Sequence, residues 1–332
     1  MPLQLTIIGL GQIGASAGLA LAEHKDLIKR VGHDKEPGAA QKAQRLGAVD
    51  QIHYNLPAAV RDADIVLLAL PLNAVRETFE YISQDLKENT VVLDTTPVKL
   101  PVAAWARELL PEKRYYVGLV PAINPAYLHE RAFGADAAHA DLFKNGLIGI
   151  ASPPGTPGEA IKLAADLAQL LGAQPLFIDP AESDGLMARV HLLPQLLSVA
   201  LIACTVNEPG WAEARKLAGR AFASVAGPLL YQDRAPALRD AALLNRENVL
   251  RLLDGITAHL QGLRNDIAAG AGESLTSKLA AAYDGQLKWQ NERDSVAWRP
   301  SLPKKMDLPS AGQALAQMFL GSKLLERRKK KE

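Results

Sequence analysis

Short apolar runs alternate with amphipathic stretches through the first half of the chain. Residues 3–8, 28–32, 63–71, 90–94, 115–119, 146–151 and 175–178 are rich in Val, Ile and Leu, the pattern of strands buried on both faces. Between them, residues 15–23, 39–46, 73–86, 102–110 and 157–171 carry apolar side chains at helical spacing. This alternation predicts a doubly wound, mainly parallel sheet whose ligands bind beyond the carboxyl ends of its strands. Those ends are Gly9, Asp34, Ala69-Leu70-Pro71, Asp94-Thr95-Thr96 and Val120-Pro121.

After residue 179 the pattern changes to long Ala- and Leu-rich stretches at 183–206, 211–225, 235–264 and 273–293. They are broken at Pro209-Gly210, Gly227-Pro228 and residues 270–272. The fold class is α/β: a Rossmann-type doubly wound sheet over residues 1–180, then an all-α domain over 181–332. Helices this apolar exceed what one small domain buries, which predicts a homodimer through the helical domain.

The first strand flows into Gly9-Leu10-Gly11-Gln12-Ile13-Gly14, and Asp34 ends the second strand 20 positions after Gly14. Strand, glycine turn, helix and acidic residue in this order form a dinucleotide fingerprint. Gly9 makes the tight turn, Gly11 lets backbone approach a pyrophosphate, and Gly14 lets the helix lie on the strand, with Gln12 and Ile13 inside the turn also expected to bind the cofactor. Asp34 suits the ribose hydroxyls and repels a 2′-phosphate, so the cofactor predicted is NAD, with NADP kept open by Lys35. As a purely structural residue, Asp34 would be a solvated strand cap. Leu70, Pro71 and Thr96, at the ends of later strands, complete the expected cofactor wall.

Composition adds exclusions. With 332 residues, 48% hydrophobic, 22% charged and a net charge of +1, the chain offers no electrostatic case for nucleic acid. The only strongly basic run, Arg327-Arg328-Lys329-Lys330-Lys331, reads as a solvated tail. The single cysteine, Cys204, excludes an intrachain disulfide or a multi-cysteine metal site and reads as a buried thiol on an apolar helix. No apolar run reaches the roughly 18 residues that span a bilayer, and no basic leader precedes the first strand, so a soluble cytoplasmic protein is expected, with no metal and no membrane partner.

Finer landmarks resemble the prephenate and arogenate dehydrogenases, within the broad 6-phosphogluconate dehydrogenase-like group. They are Ala63-Asp64-Ile65-Val66-Leu67-Leu68-Ala69-Leu70-Pro71-Leu72, Leu93-Asp94-Thr95-Thr96-Pro97-Val98-Lys99, Glu182-Ser183-Asp184 ahead of Leu192-Leu193-Pro194, and Arg239-Asp240 with Asn245-Arg246-Glu247. The resemblance implies NAD(P)-dependent oxidative decarboxylation of a small carboxylated cyclohexadienol, prephenate or arogenate, in tyrosine biosynthesis. In that family a histidine takes the proton of the ring hydroxyl. Here the Gly-x-His-Pro motif reads Gly118-Leu119-Val120-Pro121, and Pro97 replaces the serine of Gly-Ser-Val-Lys. The Ser-His-Leu-Pro-His motif reads His191-Leu192-Leu193-Pro194-Gln195, and the substrate arginine falls near Leu229 unless a shift of alignment brings Arg234 there.

The candidates left for chemistry are His191 as proton acceptor and Lys99 as proton shuttle or carboxylate partner. Asn124, Gln195 and Arg246 are the candidates for holding substrate, Arg246 by a bidentate contact to a carboxylate. Each has a bland reading too: His191 as a core or helix-surface histidine, Lys99 as a surface lysine, Asn124 as part of an Asn-Pro turn. Besides the dehydrogenase, two functions stay open: a catalytically altered member that binds dinucleotide as a sensor or partner-binding protein, and a reductase of another small carboxylated substrate.

Overall fold

A computed structural model describes residues 2–130, 132–231 and 235–295. The N-terminal part comprises β1 (Leu3–Ile8), α1 (Gln12–Ala20), β2 (Ile28–His33), α2 (Pro37–Arg45), β3 (Gln51–Ile52), α3 (Leu56–Val60), β4 (Ile65–Leu68) and α4 (Leu72–Ile82). It continues with β5 (Val91–Asp94), α5 (Leu100–Leu109), β6 (Tyr115–Ala122), β7 (Leu147–Ala151), α6 (Gly158–Leu170) and β8 (Gln174–Ile178). The strands form one sheet in the order β3-β2-β1-β4-β5-β6-β7-β8, parallel throughout except between β6 and β7. The doubly wound sheet expected from the strand–helix alternation is observed, with its order reversing between β1 and β4. Among the described residues the connection from β6 to β7 holds short 3-10 turns and no crossover helix, and the chain re-enters the sheet antiparallel.

Alternating residues of each strand feed two cores. Leu5, Ile7, Leu67 and Leu93 pack with α1, α2 and α6; Ile8, Val66, Leu68 and Val92 pack with α3, α4 and α5. The strands read as continuous apolar runs for this reason. Residues 51–60, unassigned from sequence, hold β3 and α3; both are too short for a periodic signal, although Asn55 caps α3 through the Ala58 amide at 2.9 Å.

The rest of the described chain is helical: α7 (Pro180–Met187), a π-helical turn (Ala188–Leu192), α8 (Leu193–Ala203), α9 (Trp211–Leu217), α10 (Arg220–Ala226), α11 (Pro228–Tyr231), α12 (Ala235–Leu244), α13 (Arg246–Ala269) and α14 (Gly272–Ser295). Ala188, Leu192, Leu238, Ala241 and Val249 join the second core, seating this part on the α3–α4–α5 side of the sheet. The π turn was not legible beforehand. Pro194 lacks an N–H, and its ring would meet the carbonyl of Val190 in a regular helix; one wide turn relieves the clash.

Two expectations are corrected. Pro180–Ala203 is one helical run of 24 residues, long and apolar enough by length and composition to cross a membrane. Glu182, Asp184, Arg189 and His191 interrupt the run along the sequence, although Asp184 is itself turned inside the protein. Cys204 is exposed, not buried, since α8 ends at Ala203 and leaves the thiol at the helix terminus. Arg234, residues 308–325 and the basic run at 327–331 lie outside the described residues.

Candidate active site

The three glycines of the turn do different work. Gly9 has φ +91°, and a Cβ there would stand 2.3 Å from the Ala69 carbonyl oxygen. A Cβ on Gly14 would stand 1.9 Å from the Gly9 carbonyl oxygen, so α1 lies on the turn only because that side chain is missing. Gly11 has an ordinary φ of −74°, and a Cβ there would meet nothing within 4 Å. Among the described residues nothing requires glycine at Gly11, and the space above it is open.

That space faces the N-terminus of α1, which begins at Gln12 rather than at residue 15 as the pattern suggested. Gly11 caps it in extended conformation, with no side-chain cap and no acidic residue in the first turn. The N–H groups of Gln12, Ile13 and Gly14 have no partner within the helix, and the dipole end is positive, a fit for a pyrophosphate. Asp34, half-buried just past β2, accepts from the Leu10 amide at 2.8 Å and the Glu36 amide at 2.9 Å, holding the turn against β2. A carboxylate has further lone pairs, which suit ribose hydroxyls. Leu70 packs against the second core and Pro71 is exposed at the start of α4, so Gly9 to Gly14, Asp34, Leu70 and Pro71 meet at the carboxyl ends of β1, β2 and β4.

Beneath the ends of β5 and β6 lies a polar cluster around Asp94. Its Oδ1 accepts from the Thr96 amide at 2.7 Å and from the Thr96 hydroxyl; its Oδ2 accepts from Lys99 Nζ at 2.9 Å and the Tyr116 hydroxyl at 2.6 Å. Asp94 and Lys99 are fully buried. Burial pulls the Lys99 ammonium below its usual pKa while Asp94 opposes the shift; burial, then the Asp94 charge, pushes Tyr116 well above the usual range. Gly118 is small because a Cβ there would stand 2.6 Å from Lys99 Cδ. Lys99 therefore sits under the crevice, paired with Asp94, and not at its surface as the sequence suggested. Thr96 likewise commits its hydroxyl to Asp94, leaving Thr95 as the half-exposed residue of that pair. Sequence reasoning placed Asp94 at a strand end without giving it this role and missed Tyr116; the available signal was a tyrosine in a buried strand, whose hydroxyl needs a partner.

A second cluster joins the sheet to the helices. Asp184 spans the first amides of α5, accepting from Lys99 N and from Leu100 N at 3.1 Å, and burial raises its pKa to about 6. Asn245 Nδ2 donates to the Asp184 carbonyl at 2.8 Å, and Asn248 Nδ2 to Asn245 Oδ1 at 2.9 Å. Glu182-Ser183-Asp184 and Asn245-Arg246-Glu247 thus mark the joint between the two parts. Arg246 itself is exposed at the start of α13.

On the helical side, His191 is half-buried in the π turn and Gln195 is buried, donating through Nε2 to the His191 carbonyl at 3.1 Å. The Gln195 Oε1 is buried with no hydrogen-bond partner among the described residues. On the strand side, Val120 is half-buried near the end of β6, Pro97 is buried, and Leu229 packs against the second core. Asn124 folds back on its own loop, accepting from the Ala126 amide at 3.1 Å and donating to the Asp141 carbonyl at 3.2 Å. Sequence reasoning also missed Arg293, which α14 brings to the Ile123 carbonyl at 2.5 Å. Among the described residues no group of three His, Cys, Asp or Glu side chains is arranged to hold a metal.

Comparison with known proteins gives the family. The profile of the prephenate dehydrogenase nucleotide-binding domain matches residues 17–176, starting just after the glycine turn, and that of the prephenate dehydrogenase dimerization domain matches residues 179–281. A cyclohexadienyl dehydrogenase of Zymomonas mobilis is 26% identical over 297 residues, covering 87% of this chain and 97% of that protein. The crystal structure of a prephenate dehydrogenase from A. aeolicus, in complex with hydroxyphenyl propionate and NAD+, superposes with a TM-score of 0.75 at 23% identity, covering 87% of this chain and 98% of that one. A Synechocystis arogenate dehydrogenase superposes with a TM-score of 0.66 at 24% identity, covering 86% of this chain and all 100% of its own. The apolar helical surface, with Val190, Leu243 and Ile267 exposed, falls within the dimerization match. With both of the family's domains matched in order along most of its length, the chain belongs to the prephenate dehydrogenase family.

Proposed function

We propose that this chain is an NAD-dependent dehydrogenase acting on a carboxylated cyclohexadienol, prephenate or arogenate, on the way to tyrosine. The observation that carries the reading is the open space above Gly11, at an uncapped helix N-terminus, in a chain matched by this family along both parts. When bound, NAD supplies the hydride acceptor. The amides of Gln12 and Ile13 hold its pyrophosphate, Asp34 its ribose, and Leu70 and Pro71 line its wall. Asp94, fixed by Thr96, Lys99 and Tyr116, keeps the floor beneath the reacting ring rigid. His191 takes the proton of the ring hydroxyl, and Gln195, whose buried Oε1 lacks a partner, offers that oxygen to a substrate donor. A homodimer through the helical part accords with the dimerization match and with the exposed Leu243, Leu250, Leu260 and Ile267.

Val120 favours a second reading, because valine cannot exchange a proton where the family's histidine would. In that reading the chain binds dinucleotide as a sensor or partner-binding protein. Calorimetric titration with NAD, and formation of reduced nicotinamide with prephenate and with arogenate, separate the two. Binding with turnover supports the dehydrogenase, binding without turnover on either substrate supports the sensor, and failure to bind NAD overturns both.

A further inference from the structure

A carboxylated ring substrate needs a cation, and the position that an ungapped alignment gives for one is apolar here: Leu229 packs against the second core, while Arg234, the position a shifted alignment gives, lies outside the described residues. Among the described residues two other cations are held by carboxylates, while Arg246 is exposed at the start of α13. Lys99 is paired with Asp94 at 2.9 Å and fully buried, and Arg239 is paired with Asp240 at 2.7 Å.

The last described helix delivers another. After the turn at Gly270, α14 returns along α13 and ends with Arg293 Nη2 2.5 Å from the carbonyl oxygen of Ile123. Ile123 directly follows β6, between Val120-Pro121 and Asn124, at the carboxyl end of the strand where ligands of such sheets bind. Arg293 is only partly exposed although α14 is exposed over most of its length. It also lies beyond residue 281, where the dimerization match ends. The hydrogen bond to Ile123 fixes the plane of the guanidinium, whose forked donors match a carboxylate.

We propose that Arg293, brought to the end of β6 by α14, anchors the carboxylate of the substrate in place of the arginine missing at Leu229. This rests on the ring-substrate reading given under Proposed function. The test is calorimetry on full-length, NAD-saturated protein with two probes: hydroxyphenyl propionate and the matching ethylphenol, which lacks the carboxylate. Arg293→Ala is expected to weaken hydroxyphenyl propionate roughly ten- to a hundredfold, the loss of a charged hydrogen-bonded contact, and Arg293→Lys by less. Affinity for ethylphenol and for NAD should stay unchanged in both variants, which a mere tether between α14 and the sheet would not predict. Unchanged binding of hydroxyphenyl propionate in Arg293→Ala, equal loss for both phenols, or a carboxylate-specific loss in Arg246→Ala instead would each overturn the assignment. If the unmodified protein binds neither phenol, the ring-substrate reading fails and takes this assignment with it; if it binds both and Arg293→Ala changes neither, only Arg293 is wrong.

Discussion

Substituting Gly11 and Gly14 separates a glycine kept for a ligand from one kept for the fold. In Gly11→Val the new side chain enters open space on an ordinary backbone conformation. Folding stability should change by less than about 1 kcal/mol, since losing a glycine also restricts the unfolded chain. The same side chain occupies the approach to the α1 amides. Losing even one charge-assisted N–H contact to a phosphate costs roughly 1.5–3 kcal/mol, about ten- to a hundredfold in Kd for NAD. In Gly14→Ala the added methyl would lie 1.9 Å from the Gly9 carbonyl oxygen and 3.0 Å from Ile7 Cγ2, against backbone that cannot swing aside. Moving α1 off the strand should cost about 3 kcal/mol or more, at the upper end of overpacking penalties. Thermal melts and NAD titrations of both variants read the two effects. Unchanged NAD affinity in Gly11→Val, or a melting temperature lowered as far as in Gly14→Ala, would refute the division of roles.

Three further outcomes follow from the same geometry. Asp34→Ala should lower the preference for NAD over NADP, read as the ratio of the two dissociation constants; an unmodified protein that already prefers NADP would contradict the role given to Asp34. The Asp184 carboxyl, raised by burial from 3.8 to about 6, keeps its proton longer in the folded state, so its ionisation costs stability as pH rises between about 4 and 6. Asp184→Asn should gain on the unmodified protein by up to about 3 kcal/mol across that window in denaturant titrations, and a constant difference between the two would exclude the shift. His191→Ala should reduce prephenate turnover about tenfold or more, whereas robust oxidation surviving the change would remove His191 from the chemistry.

What could be read from the sequence was whatever depends on local pattern. Strands buried on both faces are continuous apolar runs, and the glycine turn has a fixed spacing, so the sheet and the carboxyl ends of β1, β2 and β4 were legible. Contacts between distant residues were not. Asp94 meets Tyr116 across two strands, Asp184 caps a helix 84 residues earlier in the chain, and Arg293 reaches Ile123 over a separation of 170 residues. Lys99 looked available because it follows a strand end, but its stem passes under Gly118 and its ammonium turns back to Asp94. Cys204 looked buried because its helix is apolar, while burial depends on where that helix stops and what packs on it.

The Asp94 cluster also explains how the crevice tolerates apolar residues at positions 97 and 120, where the resemblance led to the expectation of polar ones. Four donors fix the Asp94 carboxylate, and none of them comes from residue 97 or 120. Removing Lys99 would leave a buried charge unpaired, at a cost of about 3–5 kcal/mol, so this floor is held by its own ion pair and not by the groups above it. The Thr96 hydroxyl is also 3.3 Å from the Val98 carbonyl, which spans the turn in which Pro97 sits without an N–H to offer. Proline at 97 and valine at 120 therefore leave the Asp94 floor with all four of its donors. Under the function proposed above, the proton acceptor comes from the helical side, where the turn at Pro194 holds His191, and the cation for the carboxylate from the end of α14.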